Sequence, residues 1–201
     1  MKITLTQFIE ILTRTALNKA KKVKAVKKQA EEPYFPAADC YKMLRDAIQN
    51  SSDREEVKES LLRLSQTIRD DSRQSRYPVL IGGYLKWLGR KQIACRRILP
   101  RTYKHGNATL AVNPELRMSI NGQDHLVKLY FKEPPLQRAE AQLVCSVIAH
   151  VYQEPLRYAA LDVQRGRLHV FDFDTLDFGM PMVDAELDYI VRMWGDTTAA
   201  A

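Results

Sequence analysis

Apolar positions in the first third of the chain recur at helical spacing. Leu5, Phe8, Ile9, Leu12 and Ala16 form one stripe, and Val23, Val26 and Ala30 extend it. The spacing predicts one long amphipathic helix to about Ala30. Pro33 and Pro36 interrupt it. A second helix is expected over 39–50, with Tyr41, Leu44, Ala47 and Ile48 on one side. Ser52 followed by Glu55 has the form of a capping box. It opens a third helix whose apolar stripe is Val57, Leu61, Leu64 and Ile68. A fourth is expected over 77–89, with Pro78 in its first turn and the adjacent Gly82 and Gly83 allowing a close approach or a break.

Beyond Arg97 the period changes. Turn residues punctuate the chain at His105-Gly106-Asn107, Asn113-Pro114 and Asn121-Gly122. Leu116, Met118 and Ile120 alternate up to Asn121-Gly122, and 125–131 resumes beyond it, which predicts a β-hairpin. Alternation puts Leu126, Lys128, Tyr130 and Lys132 on one face of its second strand, with Val127, Leu129 and Phe131 on the other. Residues 136–152 read as a largely buried helix, 158–163 and 167–173 as a second hairpin, and 186–194 as a short closing helix. The fold class is α+β. A helical N-terminal region (1–94) precedes a small mixed core (95–201) of hairpin, buried helix, hairpin and C-terminal helix.

Charge is distributed unevenly along this plan. The 201 residues carry a formal net charge of +7. In 1–28 eight cations face Glu10 alone. In 72–104 nine cations occur with no acid, whereas 170–196 holds seven acids against Arg192. Basic residues interleaved with aromatics suit a nucleic-acid surface, since cations neutralise phosphates and rings stack on bases. The candidate phosphate contacts are Arg73, Arg76, Lys86, Arg90, Lys91, Arg96, Arg97, Arg101 and Lys104, with Tyr103 as a stacker. A secondary basic helix carries Lys19, Lys21, Lys22, Lys24, Lys27 and Lys28, and could lie on nucleic acid or on an anionic membrane. Aromatics that face a core and lysines that are merely solvated are the plainer reading of both segments.

The order hairpin, helix, hairpin over 108–174 resembles the core of the PD-(D/E)xK nuclease superfamily. The resemblance implies an acid on the second core strand, for which Glu115 or Asp124 stands, and an acid-x-lysine on the third that binds a divalent metal. Here the third-strand slot reads Tyr130-Phe131-Lys132, and no acid lies two residues before Lys128. The pattern therefore implies a site without metal catalysis. The acidic group Asp162, Asp172, Asp174 and Asp177 has His169 nearby, but alternation places His169 and Asp172 on opposite faces. His105, His125 and His150 are expected to be structural. Cys40, Cys95 and Cys145 are widely spaced, which gives a structural zinc site no support and suggests buried thiols.

No stretch is apolar enough to span a membrane, and the N-terminus lacks the apolar run of a secretory signal, so a cytoplasmic location is expected. The leading expectation is a non-catalytic nucleic-acid-associated protein, a degenerate nuclease-like subunit of a larger complex, with no catalytic residue, metal or cofactor assigned. The leading enzymatic alternative is a metal-dependent nuclease, followed by an enzyme acting on an anionic small molecule. The alternative from another class is a protein–protein assembly or self-associating subunit that sets basic N-terminal against acidic C-terminal surfaces.

Overall fold

A computed structural model describes residues 1–32, 39–173 and 176–196. Its elements, in chain order, are β1 (Lys2–Thr4), α1 (Leu5–Leu12), α2 (Ala16–Glu31), α3 (Lys42–Gln49), α4 (Arg54–Thr67), α5 (Asp71–Leu88), β2 (Ile93–Arg97), β3 (Arg101–His105), β4 (Ala108–Val112), β5 (Leu116–Ile120), β6 (Gln123–Tyr130), α6 (Arg138–Tyr152), β7 (Arg157–Asp162), β8 (Arg167–Val170) and α7 (Leu176–Asp196). The class is α+β.

The central sheet has the order β2-β5-β6-β7-β8. Among the described strands of this sheet β6 and β7 run parallel, as the intervening α6 allows, and the other neighbours are antiparallel. A second sheet, β1-β4-β3, pairs β1 parallel to β4 and β3 antiparallel to it. The β5–β6 turn carries Asn121 and Gly122 at φ 49° and 84°, the left-handed conformation an Asn-Gly hairpin requires.

Each face of the central sheet is buried against different helices. Leu126, Tyr130, Tyr158 and Ala160 point toward a cluster with α1, α6, α7 and the smaller sheet. Val127, Leu129, Phe131, Ala159 and Leu161 point toward α3, α4 and α5. Residues 1–94 thus cover both faces of the sheet in 95–201, and they contribute β1 and the start of β2 to the sheets themselves. Val144, Cys145, Val147 and Ile148 of α6 are fully buried. Burying an aliphatic side chain such as Val or Ile stabilises by roughly 1.5 to 3 kcal/mol, which holds α6 over the sheet.

Four expectations about local structure are corrected. The long N-terminal helix is two helices. Thr4 and Gln7 form a capping box that starts α1, Thr13 caps its end, and Thr15 is extended at φ −113°, ψ 149° before α2. The N-cap of α4 is Asp53, one residue beyond Ser52; its side chain accepts from the N–H groups of Glu55 and Glu56, and Glu56 reaches back to Ser52. The fourth helix begins at Asp71 under an Asp70 cap, so Pro78 sits in its interior. The interior proline loses a backbone hydrogen bond, and burial of Tyr77, Leu80, Ile81 and Tyr84 offsets that loss. The closing helix starts at Leu176 rather than near 186.

The glycine pair in α5 has one packing partner. A Cβ on Gly83 would lie 2.2 Å from the carbonyl oxygen of Val163, and one on Gly166 would lie 2.6 Å from that of Gly83. Gly82 meets nothing. Helix α5 therefore rests its backbone on the β7–β8 turn, which carries Gln164 to the edge of the cleft described next.

Candidate nucleic-acid interface

Helix α1 is almost wholly buried, yet Thr6, Glu10 and Thr13 fall at spacings of four and three on one polar stripe. That stripe lines a cleft. Its larger compartment, about 1420 Å³, includes Thr6, Glu10, Arg45, Glu115 and Lys128. A smaller compartment of about 460 Å³ includes Thr13, Arg14, Lys22, Arg76, Lys132 and Gln164. Glu10, Tyr41, Arg76, Phe131 and Lys132 border both.

The floor is a buried ion pair. Lys128, at 0% exposure, donates to Glu115 Oε1 (2.5 Å), Thr6 Oγ1 (3.0 Å) and the Asn113 carbonyl (3.2 Å). The second oxygen of Glu115 accepts from the Leu129 N–H at 2.7 Å, just past the end of the β5–β6 ladder. Every ammonium hydrogen has an acceptor, the condition under which a buried charge is tolerated. The pair ties α1 to β5 and β6.

Of the residues raised by the nuclease pattern, only Glu115 meets a lysine of β6. Leu126 occupies the position two before Lys128 on the same face. Asp124 lies toward the opposite end of β6 and pairs with Arg117 at 3.0 Å. Tyr130 donates its hydroxyl proton to the Pro134 carbonyl at 2.6 Å. Lys132 pairs with Glu10 at 2.6 Å and stands 4.8 Å over the Tyr41 ring, which stacks on Phe131. Glu10 also holds Lys22. Burial raises the Glu10 carboxyl pKa, but the two lysines outweigh burial and hold it below its ordinary value. Among the described residues no group of three or more His, Cys, Asp or Glu side chains is placed to hold a metal ion.

The basic stretch 73–104 is spread over α5, β2 and β3, and its members differ in what they touch. Arg101 donates to the carbonyls of Val151 and Tyr152 at 3.2 Å and lies 4.5 Å over the Tyr152 ring. Arg97 bonds Asn50, Lys91 bonds the Trp87 carbonyl, and Arg73 meets Met43 Sδ at 3.5 Å. Arg76, Lys86, Arg90, Arg96 and Lys104 are exposed. The Tyr103 hydroxyl donates to Asp184 at 2.6 Å while its ring meets His150 edge-on. Burial, then Asp184, pushes the Tyr103 pKa up to about 12. Tyr84 and Trp87 are core residues.

In the basic helix α2, Lys19 donates to Glu186 at 2.6 Å and Lys27 to the Trp194 carbonyl at 2.9 Å. Lys21, Lys24 and Lys28 form an exposed ridge, and Lys22 turns into the cleft. The fold therefore brings together Arg76 of one basic segment and Lys22 of the other. It adds Arg14 and Lys132, which charge counting along the chain did not single out as binding residues. The signal for Arg14 is the polar stripe of α1, which leads to it, whereas Lys132 joins through its tertiary pairing with Glu10.

Asp162, at 1% exposure, accepts from the Leu136 N–H and from Arg165. Asp172 pairs with Arg138 at 3.1 Å. Asp174 and the side chain of Asp177 lie outside the described residues. His169 is buried, and among the described residues its Nε2 has no partner; burial first, then Arg167, lowers its pKa. The three cysteines are unpaired, and Cys95 and Cys145 are buried. Among the described residues no helix is long and apolar enough to cross a membrane.

Comparison with protein-family models, with curated proteins and with solved structures finds no match.

Proposed function

We propose that the protein is a non-catalytic nucleic-acid-binding component that takes the phosphate backbone along the α1–α5 cleft. One observation carries this reading: Lys22 and Arg76, from basic segments more than fifty residues apart, line one compartment together with Arg14 and Lys132. Convergent cations on a concave surface attract a polyanion and release its counterions. The floor supports the non-catalytic part. Glu115 is engaged by Lys128 and the Leu129 N–H, and neither Tyr130, two residues before Lys132, nor Leu126, two residues before Lys128, is the acid that the nuclease pattern requires. The sequence-order resemblance to a nuclease core belongs to this same reading, as a fold put to binding use within a larger complex.

The assembly alternative draws less support. Its complementary segments already meet inside one chain, through Lys19–Glu186, Lys27–Trp194, Tyr103–Asp184 and the approach of His105 to Asp184 and Asp188 at 3.3 and 3.1 Å.

Fluorescence anisotropy with labelled DNA and RNA over a salt series, with and without magnesium, tests the proposal. Four phosphate contacts predict a loss of affinity of about a hundredfold between about 50 and 200 mM salt. The label stays intact in magnesium. Salt-insensitive binding or no binding overturns the reading, and magnesium-dependent cleavage overturns its non-catalytic part.

A further inference from the structure

We infer that the smaller compartment of the cleft is a receptor for a terminal phosphate, the phosphomonoester at the end of a single nucleic-acid strand. The inference rests on the nucleic-acid reading above and goes beyond it, because salt-dependent binding alone requires no particular pocket.

The compartment is bounded by the α1–α2 corner, α5, the segment following β6, and the β7–β8 turn. At about 460 Å³ it has the size of a small-ligand site, large enough for one nucleotide and too small for a duplex segment. It opens into the larger compartment through their shared border, which gives a strand whose end is seated here a path onward.

Its charges are not balanced. Lys22 and Lys132 share the single carboxylate of Glu10, so that group of three retains one positive charge. Arg14 and Arg76 are exposed, and among the described residues neither guanidinium group forms an ion pair or a hydrogen bond. Glu133 is the other carboxylate of the lining and is exposed. Two free guanidinium forks beside a cationic group suit a phosphomonoester better than an internal phosphodiester. The monoester carries close to two charges near neutral pH and three terminal oxygens, and so can occupy both forks; the diester carries one charge. Gln164, held at the rim by the contact of Gly83 with the β7–β8 turn, supplies an uncharged donor and acceptor.

The test compares oligonucleotides of one sequence bearing a 5′-phosphate, a 3′-phosphate or no terminal phosphate, and adds a nucleoside monophosphate as competitor. The full chain is used, as wild type, Arg14→Ala and Arg76→Ala. One phosphorylated end should bind about tenfold more tightly than the unphosphorylated strand, and either substitution should remove most of that preference. Each substitution should also weaken the unphosphorylated strand by the smaller factor of one lost backbone contact, so the ratio of the two affinities is the readout, and circular dichroism melting confirms that each variant folds. Equal affinity for all three ends overturns the inference while leaving the nucleic-acid reading intact. A preference that survives both substitutions also overturns the pocket assignment. If the monophosphate binds in an Arg14-dependent way and no oligonucleotide binds, the phosphate pocket stands and the nucleic-acid reading falls. If neither binds, both fall.

Discussion

The floor and the rim of the cleft use the same chemical groups to opposite ends. On the floor, Lys128 is fully enclosed and its ammonium reaches Glu115, Thr6 and the Asn113 carbonyl. On the rim, Arg14 and Arg76 are exposed, with no ion pair among the described residues. A cation whose hydrogen bonds are complete can position a helix, but it has nothing left for a ligand. A cation without partners adds little to folding and is available to an anion. Partner geometry, more than residue type, separates the structural cations of this protein from those offered to a ligand.

The largest expected effect breaks the floor. Lys128→Met leaves the Glu115 carboxylate buried beside an apolar side chain, and should destabilise the protein by about 3 to 5 kcal/mol in urea denaturation. The double variant Glu115→Gln/Lys128→Met removes both charges and keeps an amide oxygen for the Leu129 N–H. It should recover more than half of the loss. A single variant as stable as wild type would show that the pair is not buried as described.

The rim should behave in the reverse manner. Arg14→Ala and Arg76→Ala should each change unfolding free energy by no more than about 0.5 kcal/mol, as is usual for exposed positions. Their effect belongs to ligand affinity. A rim variant that unfolds as readily as Lys128→Met would erase the distinction between the two regions.

How much of this contrast was legible in the sequence depends on the range of the signal. Asn121-Gly122 announced its hairpin because the turn conformation is local to two residues. The apolar run of α6 announced a buried helix, and alternation along β6 placed Lys128 on the face of Leu126 and Tyr130. A cation at a core position of a strand already points to a buried partner, but nothing local says which acid meets it. Glu115 lies thirteen residues away and Thr6 more than a hundred. Other features rest on still longer pairings. The three residues of β1 form a strand only because β4 lies alongside them, and the apolar stripe of 5–30 continues through a corner at Thr13–Thr15 that periodicity alone does not show. Strand β2 is paired along β5 and touched by Asp53 at Ala94. The convergence of Lys22 with Arg76 is likewise tertiary. Counting charge along the chain located both basic segments, yet it weighted Arg101 and Tyr103, whose groups are engaged within the fold, equally with Arg76.

Glu10 borders both compartments of the cleft and sharpens the comparison. Its carboxylate restrains Lys22 and Lys132, so Glu10→Gln should free both cations and raise affinity for phosphorylated strands by about two- to fivefold. The same variant has a pH signature. Because the folded pKa of Glu10 lies below its unfolded value, the ionised group favours the folded state above the unfolded pKa, and this contribution is lost as pH falls through the folded pKa. Wild type should therefore lose stability on acidification below about pH 4.5 more steeply than Glu10→Gln, as followed by thermal melting. Parallel pH profiles would show that Lys22 and Lys132 do not hold the Glu10 carboxyl below its ordinary value.

The smallest effect is expected outside the cleft. Lys24 lies on the exposed ridge of α2 with Lys21 and Lys28 and is not among the residues that line the smaller compartment. If backbone phosphates extend onto this ridge, Lys24→Ala should weaken every oligonucleotide by the same modest factor, about twofold, and reduce the salt slope by no more than about 1. The ratio of affinities for phosphorylated and unphosphorylated strands should stay at its wild-type value, because Lys24 does not border the smaller compartment. A drop in that ratio would move the terminal phosphate from the cleft to the surface of α2, whereas a change in salt slope at constant ratio would place the ridge on the path of the backbone and leave recognition of the end to Arg14 and Arg76.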